Sequence, residues 1–201
     1  MEPNRRLMLG EESITYAWHD SKKVGKRSFL CGYCGKDVGP DEGYFAVIPE
    51  HQNRLANIFI CPLCTQPTFI DFNGKQYPNK RFGNEVSGIT DEKIQKIYLE
   101  ARDAASAGAH TAAVLISRKI LMNVAVQKGA KKGLTFNNYV EYLVNAGYVP
   151  PEGKSWVDKI RDKGNDATHE IELMTEADAK LIIHFTEMLL RFVYELPSML
   201  K

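Results

Sequence analysis

Hydrophobic positions follow two different rhythms along this chain, and the change falls near Thr90. Between Ser28 and Ile70 the apolar residues come in short β-prone runs, Tyr44-Phe45-Ala46-Val47-Ile48 and Ala56-Asn57-Ile58-Phe59-Ile60, punctuated by Gly, Pro, Asp and Asn. That pattern predicts short strands joined by tight turns, a small β-rich region over 28–70. Residues 1–27 show weak periodicity and several breakers. They read as a poorly specified arm with one short strand at Ile14-Thr15-Tyr16-Ala17-Trp18. Residues 71–89 hold Gly74, Pro78, Gly83 and Gly88 with few aliphatics, and read as a connecting segment.

From residue 90 to 196 the period becomes helical. Thr90 caps a first helix with Asp91 and Glu92 in its opening turn, and Ile94, Ile97, Tyr98, Ala101 and Ala105 form its apolar stripe up to Gly108. The stretch from about Ala109 to Gln127 is apolar nearly all round through Val114, Leu115, Ile116, Ile120, Leu121, Val124 and Val126, which predicts a central buried helix. Thr135 caps a shorter helix that buries Phe136, Val140, Leu143 and Val144 and stops at Gly147. Ser155 with Asp158 resembles a capping box that opens a polar helix. Thr175 with Asp178 repeats the device for a last helix whose stripe runs Ala177, Leu181, Phe185, Met188, Leu189, Phe192 and Leu196, closed by Pro197.

Composition changes this picture little. With 201 residues, 44% hydrophobic and 25% charged, the chain has the balance of an ordinary globular protein. The net charge of +1 gives no global argument for a polyanion partner; the local basic clusters at Lys22-Lys23 with Lys26-Arg27, and at Lys128 with Lys131-Lys132, read first as solvated loops, with nucleic-acid contact the lesser alternative. No segment approaches the roughly 18 to 20 apolar residues of a membrane span. The best run, Leu181 to Leu190, is broken by His184 and Glu187, and a cytoplasmic location is the default expectation.

The cysteines carry the clearest chemistry. All four fall in two knuckles, Cys31-Gly32-Tyr33-Cys34 and Cys61-Pro62-Leu63-Cys64, with 26 residues between. Each CxxC turn aims two thiolates at one point, and two knuckles complete a tetrahedral set of the kind Zn²⁺ accepts. A redox CxxC needs no second pair, and an iron–sulfur cluster more often shows another spacing. The expectation is structural Zn²⁺ on Cys31, Cys34, Cys61 and Cys64, replacing a core that so short a region cannot build. A further use, gripping nucleic acid or a partner, draws on Tyr33, Lys36, Tyr44 and His51.

The densest polar run of the C-terminal half is Ser155 to Glu170. On a continuous helix Arg161, Asn165 and His169 fall at i, i+4 and i+8, stacking a cation, an amide and an imidazole on one face suited to a phosphate. Taken singly, Arg161 is as well explained by a surface ion pair and His169 by a helix C-terminus. His184, on the last helix's stripe, reads as a satisfied core histidine.

The order of parts, from the cysteine knuckles through Glu100-Ala101 and Ala112-Ala113-Val114-Leu115-Ile116-Ser117-Arg118-Lys119 to the Arg161, Gly164-Asn165, His169-Glu170 block, resembles a known family. It is the uncharacterised all-helical domain family that occurs beside zinc ribbons and on type I restriction subunits, grouped with the HEPN superfamily. The resemblance covers about residues 90–196. It implies an α+β chain: a small β-rich zinc ribbon followed by an all-α HEPN-like helical bundle that pairs as a homodimer, in a defence or restriction setting, with RNA, DNA or a complex as partner. It also implies a metal-independent ribonuclease as the alternative. There His169 serves as general base or acid, Arg161 holds the phosphate, Asn165 orients either group, and Arg118 is the second cation. The seven residues between Arg161 and His169 exceed the separation such ribonucleases use, which favours binding over cleavage. For Arg118 the weightier alternative is a buried pair with Glu100 or Glu141.

Overall fold

The computed structural model describes residues 5–9, 12–21, 24, 27–47, 54–150, 156, 158–160 and 173–200. Strands occupy the N-terminal part and helices the C-terminal part, and the chain divides into two compact units, Met1–Lys80 and Arg81–Lys201. It is an α+β protein.

In the first unit β1 (Arg5–Leu9), β2 (Glu12–Ser21), β5 (Gly43–Val47), β6 (Arg54–Ile60), β7 (Pro67–Ile70) and β8 (Gln76–Tyr77) form a six-stranded sheet in the order β1-β2-β5-β6-β7-β8. A separate two-stranded ribbon joins β3 (Phe29–Leu30) to β4 (Asp37–Val38). Every pairing is antiparallel. The expected strands at 44–48 and 56–60 are present as β5 and β6. The N-terminal arm is corrected: residues 5–9 and 12–21 make a hairpin, and β2 pairs with β5 from Ala17 opposite Val47 to Ser21 opposite Gly43. Pairing there supplies partners to the backbone groups of an edge that β5 would otherwise leave open.

Alternation along β5 to β7 turns one face inward. Phe59 and Ile70 from that face bury against Val24, Phe29, Val38, Cys31 and Cys61, and the Phe29 and Phe59 rings stack with centroids 5.5 Å apart. Few large side chains make up this core, so the cysteine cluster is part of what closes it.

The second unit is built on α1 (Glu92–Ser106), α2 (His110–Gln127), α3 (Phe136–Asn145) and α4 (Glu176–Leu190), with helical backbone also at Trp156 and at 158–160. Its core joins Val114, Ile120, Leu121 and Val124 of α2 to Tyr98 of α1, Val140 and Leu143 of α3, and Ile183, Phe185 and Leu189 of α4. The α2 helix is central, though not apolar all round: Leu115 is exposed and Ile116 and Val126 are half-buried. Thr135 caps α3 by accepting from the Asn138 amide, and Thr175 with Asp178 forms a complete capping box on α4. The α1 cap is Asp91, one residue beyond the expected Thr90; its carboxylate accepts from the Lys93 amide. Beyond α4 the helix widens into a π turn, Arg191–Glu195, and ends in the turn Leu196–Ser198 that contains Pro197.

Residues 71–89 are not a free connector. Asp71 to Lys75 make a tight turn in which Asp71 Oδ1 accepts from the amides of Asn73 and Lys75, and β8 follows within the first unit. Phe82 and Val86 lie in the helical core. Polar tertiary contacts hold this stretch: Arg102 donates to the carbonyls of Phe82 and Gly83, Glu187 accepts from the backbone and side-chain amides of Asn84, and Glu195 accepts from the Ser87 amide.

Candidate functional site

The two cysteine knuckles fold as copies of one turn. The Cys31 amide donates to the Lys36 carbonyl and the Gly35 amide to the Cys31 carbonyl; in the second knuckle Cys61 donates to Gln66 and Thr65 to Cys61 in the same way. The position that closes each turn is left-handed, with φ of 68° at Gly35 and 58° at Thr65. Gly35 adopts that region freely, whereas Thr65 occupies it with a β-branched side chain. Gly32 is set by a close approach: a Cβ there would meet the Pro78 carbonyl oxygen at 2.5 Å.

These turns bring the four Sγ atoms within 4.8 Å of one another, with Cys31 to Cys64 at 3.6 Å and Cys34 to Cys61 at 3.8 Å. No disulfide joins them. A tetrahedral thiolate site with metal–sulfur bonds of about 2.3 Å has sulfur–sulfur edges of about 3.8 Å, so the donor set fits a four-coordinate ion. Cys31 and Cys61 are fully buried and Cys34 and Cys64 partly so, which leaves no open coordination position of the catalytic kind. Burial pushes the Cys34 thiol up and the Cys64 thiol up to about 12. At Cys61 burial works in the same direction, but the amides of Cys64 and Leu63 donate to its sulfur and bring it down to about 7. A metal ion held here bonds the thiolates.

The outer face of the same sheet carries a second feature. Cross-strand register aligns Tyr44 of β5 with Ile58 of β6, Ile58 with Phe69 of β7, and Phe69 with Tyr77 of β8. Directly opposed residues share a face, so the four side chains form one row. Tyr44 is 45% and Tyr77 40% exposed. The Phe69 and Tyr77 rings stack at 6.0 Å, and Lys75 Nζ lies 5.0 Å over the Tyr77 ring. The sequence drew attention to Tyr44 alone; register across three turns was needed to align it with the others.

In the helical unit, Arg161, Asn165 and His169 lie outside the described residues, as does the Ser155 cap. Arg118 is described, and the expected acidic pair is replaced. Its side chain is 6% exposed, and its guanidinium carbon lies 4.4 Å from the Phe136 ring centroid. Glu100 and Glu141 are both exposed. Among the described residues nothing accepts a hydrogen bond from Nη1. Burial pulls its pKa down.

His184 is corrected as well. It is half exposed, with Nδ1 3.8 Å from Glu187 Oε2. The buried face of α4 runs through Ile182, Ile183, Phe185, Thr186, Leu189 and Leu190, rotated from the expected stripe, so Ala177, Phe192 and Leu196 face outward. Near α1 a pocket of about 510 Å³ is lined by Val86, Ile89, Tyr98, Leu99, Arg102 and Glu195. Three of its polar side chains are already engaged: Tyr98 donates to the Asn84 carbonyl, Arg102 to two carbonyls, and Glu195 accepts from Arg191 and Ser87.

Fold and site together define an α+β protein with a four-cysteine metal-type cluster in an antiparallel β unit, followed by a helical unit. Residues 99–201 match the family model described as a domain of unknown function, DUF4145, and the chain belongs to that family. No curated protein and no solved structure matches the chain. No helix among the described residues is long and apolar enough to cross a membrane.

Proposed function

We propose that this is a zinc-binding, nucleic-acid-related protein of a prokaryotic defence or restriction context. In this reading the cysteine unit is a zinc ribbon and the helical unit is of HEPN type. The protein acts in the cytoplasm as a homodimer that binds RNA, DNA or a partner complex. Zn²⁺ is the ion that four thiolates at tetrahedral spacing suit best, since it is soft enough for sulfur and imposes no other geometry.

The observation that carries the nucleic-acid reading is the Tyr44, Ile58, Phe69, Tyr77 row with Lys75 beside it. Aromatic rings on an exposed sheet face offer stacking surfaces that any base can use, and a neighbouring cation offers a phosphate contact. The test is fluorescence anisotropy of the zinc-loaded chain with labelled single-stranded RNA and DNA. Tyr44→Ala and Tyr77→Ala are each expected to weaken binding roughly tenfold, from about 1–3 kcal/mol per stacked base. No binding by the wild type, or undiminished binding by the double variant, overturns the reading.

A second reading, a metal-independent ribonuclease, draws support from Arg118, a buried cation whose Nη1 has no hydrogen-bond acceptor among the described residues. Here Arg161 and His169 provide the phosphate contact and the proton transfer, with Asn165 orienting either group. The same labelled RNA, run on a denaturing gel, tests it. Cleavage by the wild type that is lost in Arg161→Ala and His169→Ala supports this reading, and intact RNA in all lanes removes it.

A further inference from the structure

We propose that Arg118 and the N-terminal turn of α3 form a binding site for a phosphate group. Three observations converge there. Arg118 is 6% exposed, Nη1 has no hydrogen-bond acceptor among the described residues, and the guanidinium carbon lies 4.4 Å from the Phe136 ring centroid. A guanidinium withdrawn from water without an anion is strongly disfavoured, and an aromatic face compensates only part of that loss. The acids expected to neutralise it, Glu100 and Glu141, are exposed.

The surroundings make the deficit of negative charge larger. The ring it contacts belongs to Phe136, the first residue of α3, where the helix dipole is positive, and the first turn of α3 contains no acidic residue. Lys131 and Lys132, both exposed, lie in the turn that leads into that helix end. A buried cation, a helix N-terminus and two lysines together call for an oxyanion of more than one charge. A phosphate matches the planar fork of arginine and the amides of a helix N-terminus at once.

The inference rests on the nucleic-acid reading only for the source of the phosphate, a backbone phosphate or a free one. Thermal unfolding of the zinc-loaded chain is followed in phosphate and in chloride at equal ionic strength, for the wild type, Arg118→Met and Arg118→Lys. Phosphate is expected to raise the wild-type Tm above its value in chloride. The apparent phosphate affinity should fall roughly tenfold or more in Arg118→Met, with Arg118→Lys between, because the lysine keeps charge and loses the fork. Without phosphate, Arg118→Met should fold and be at least as stable as the wild type, since removing an uncompensated buried charge relieves the core.

Equal phosphate effects in wild type and Arg118→Met overturn the site. So does no phosphate effect at all. Failure of both variants to fold does so too, because it makes Arg118 a structural group needing no anion. A second arm titrates a short single-stranded RNA at several salt concentrations. A salt slope smaller by about one in Arg118→Met assigns the phosphate to a nucleic-acid backbone. Phosphate stabilisation without RNA binding keeps the site and removes the nucleic-acid reading.

Discussion

Glu187 shows how much one side chain on α4 holds together. It accepts from the backbone amide and the side chain of Asn84 and from Arg191, while Arg191 reaches on to Glu195. Burial works to raise its pKa, but these hydrogen bonds and the arginine charge outweigh burial and hold it below the ordinary carboxylate value. A carboxylate depressed in the folded state contributes stability above its unfolded pKa, near 4.3, and loses it as pH falls through the lower folded value. Glu187→Gln is therefore expected to cost about 1–3 kcal/mol at neutral pH. The variant and wild-type Tm curves should converge as pH drops below about 4. A constant gap across the acid range in a Tm-against-pH series would reject this role. Helical period placed Glu187 on α4 within reach of Arg191, but Asn84, which donates to it twice, lies more than a hundred residues earlier in the chain.

At the scale of elements, much of the local chemistry that closes within a few residues was legible, although the α1 cap is Asp91 and not Thr90. The Thr135 and Thr175 caps are of this kind, because an oxygen three residues from its donor amide needs no tertiary partner. The 81–89 stretch is the opposite case. Its glycines and sparse aliphatics look like a linker, yet Phe82 and Val86 are buried and Arg102, Glu187 and Glu195 hold its backbone. Gly83 is necessary to this arrangement: φ is +68°, and a Cβ would lie 2.9 Å from both Ile183 Cγ2 and the Tyr98 hydroxyl. Gly83→Ala should destabilise the helical unit by about 2 kcal/mol or more, from left-handed strain together with overpacking. Urea unfolding followed by helical circular dichroism measures it. A change within about 0.5 kcal/mol, the range of an ordinary surface substitution, would show the segment to be as loose as its composition suggests.

For the whole molecule the decisive fact is that each unit has its own core, one of them small and shared with a cysteine cluster. Metal affinity in such a unit is folding free energy. Chelation of the purified protein is expected to expose all four thiols to a thiol reagent and to abolish the tertiary signal of the strands, while the helical signal of α1 to α4 persists. Simultaneous loss of the helical signal would show that the two units do not fold separately.

By itself the sequence determined what depends on near neighbours: the α+β division, the two CxxC knuckles and the capped helices all follow from spacings that a few bonds span. The cysteine cluster was legible for the same reason, since each knuckle is a local turn and only the joining of two turns is long-range. Tertiary structure alone decided which face of α4 is buried, how Tyr44 aligns with Tyr77 through three strand registers, and what holds residues 81–89. It also decided that Arg118 meets an aromatic ring where an acid was expected. Those features depend on side chains brought together from distant positions, which periodicity along one element does not encode.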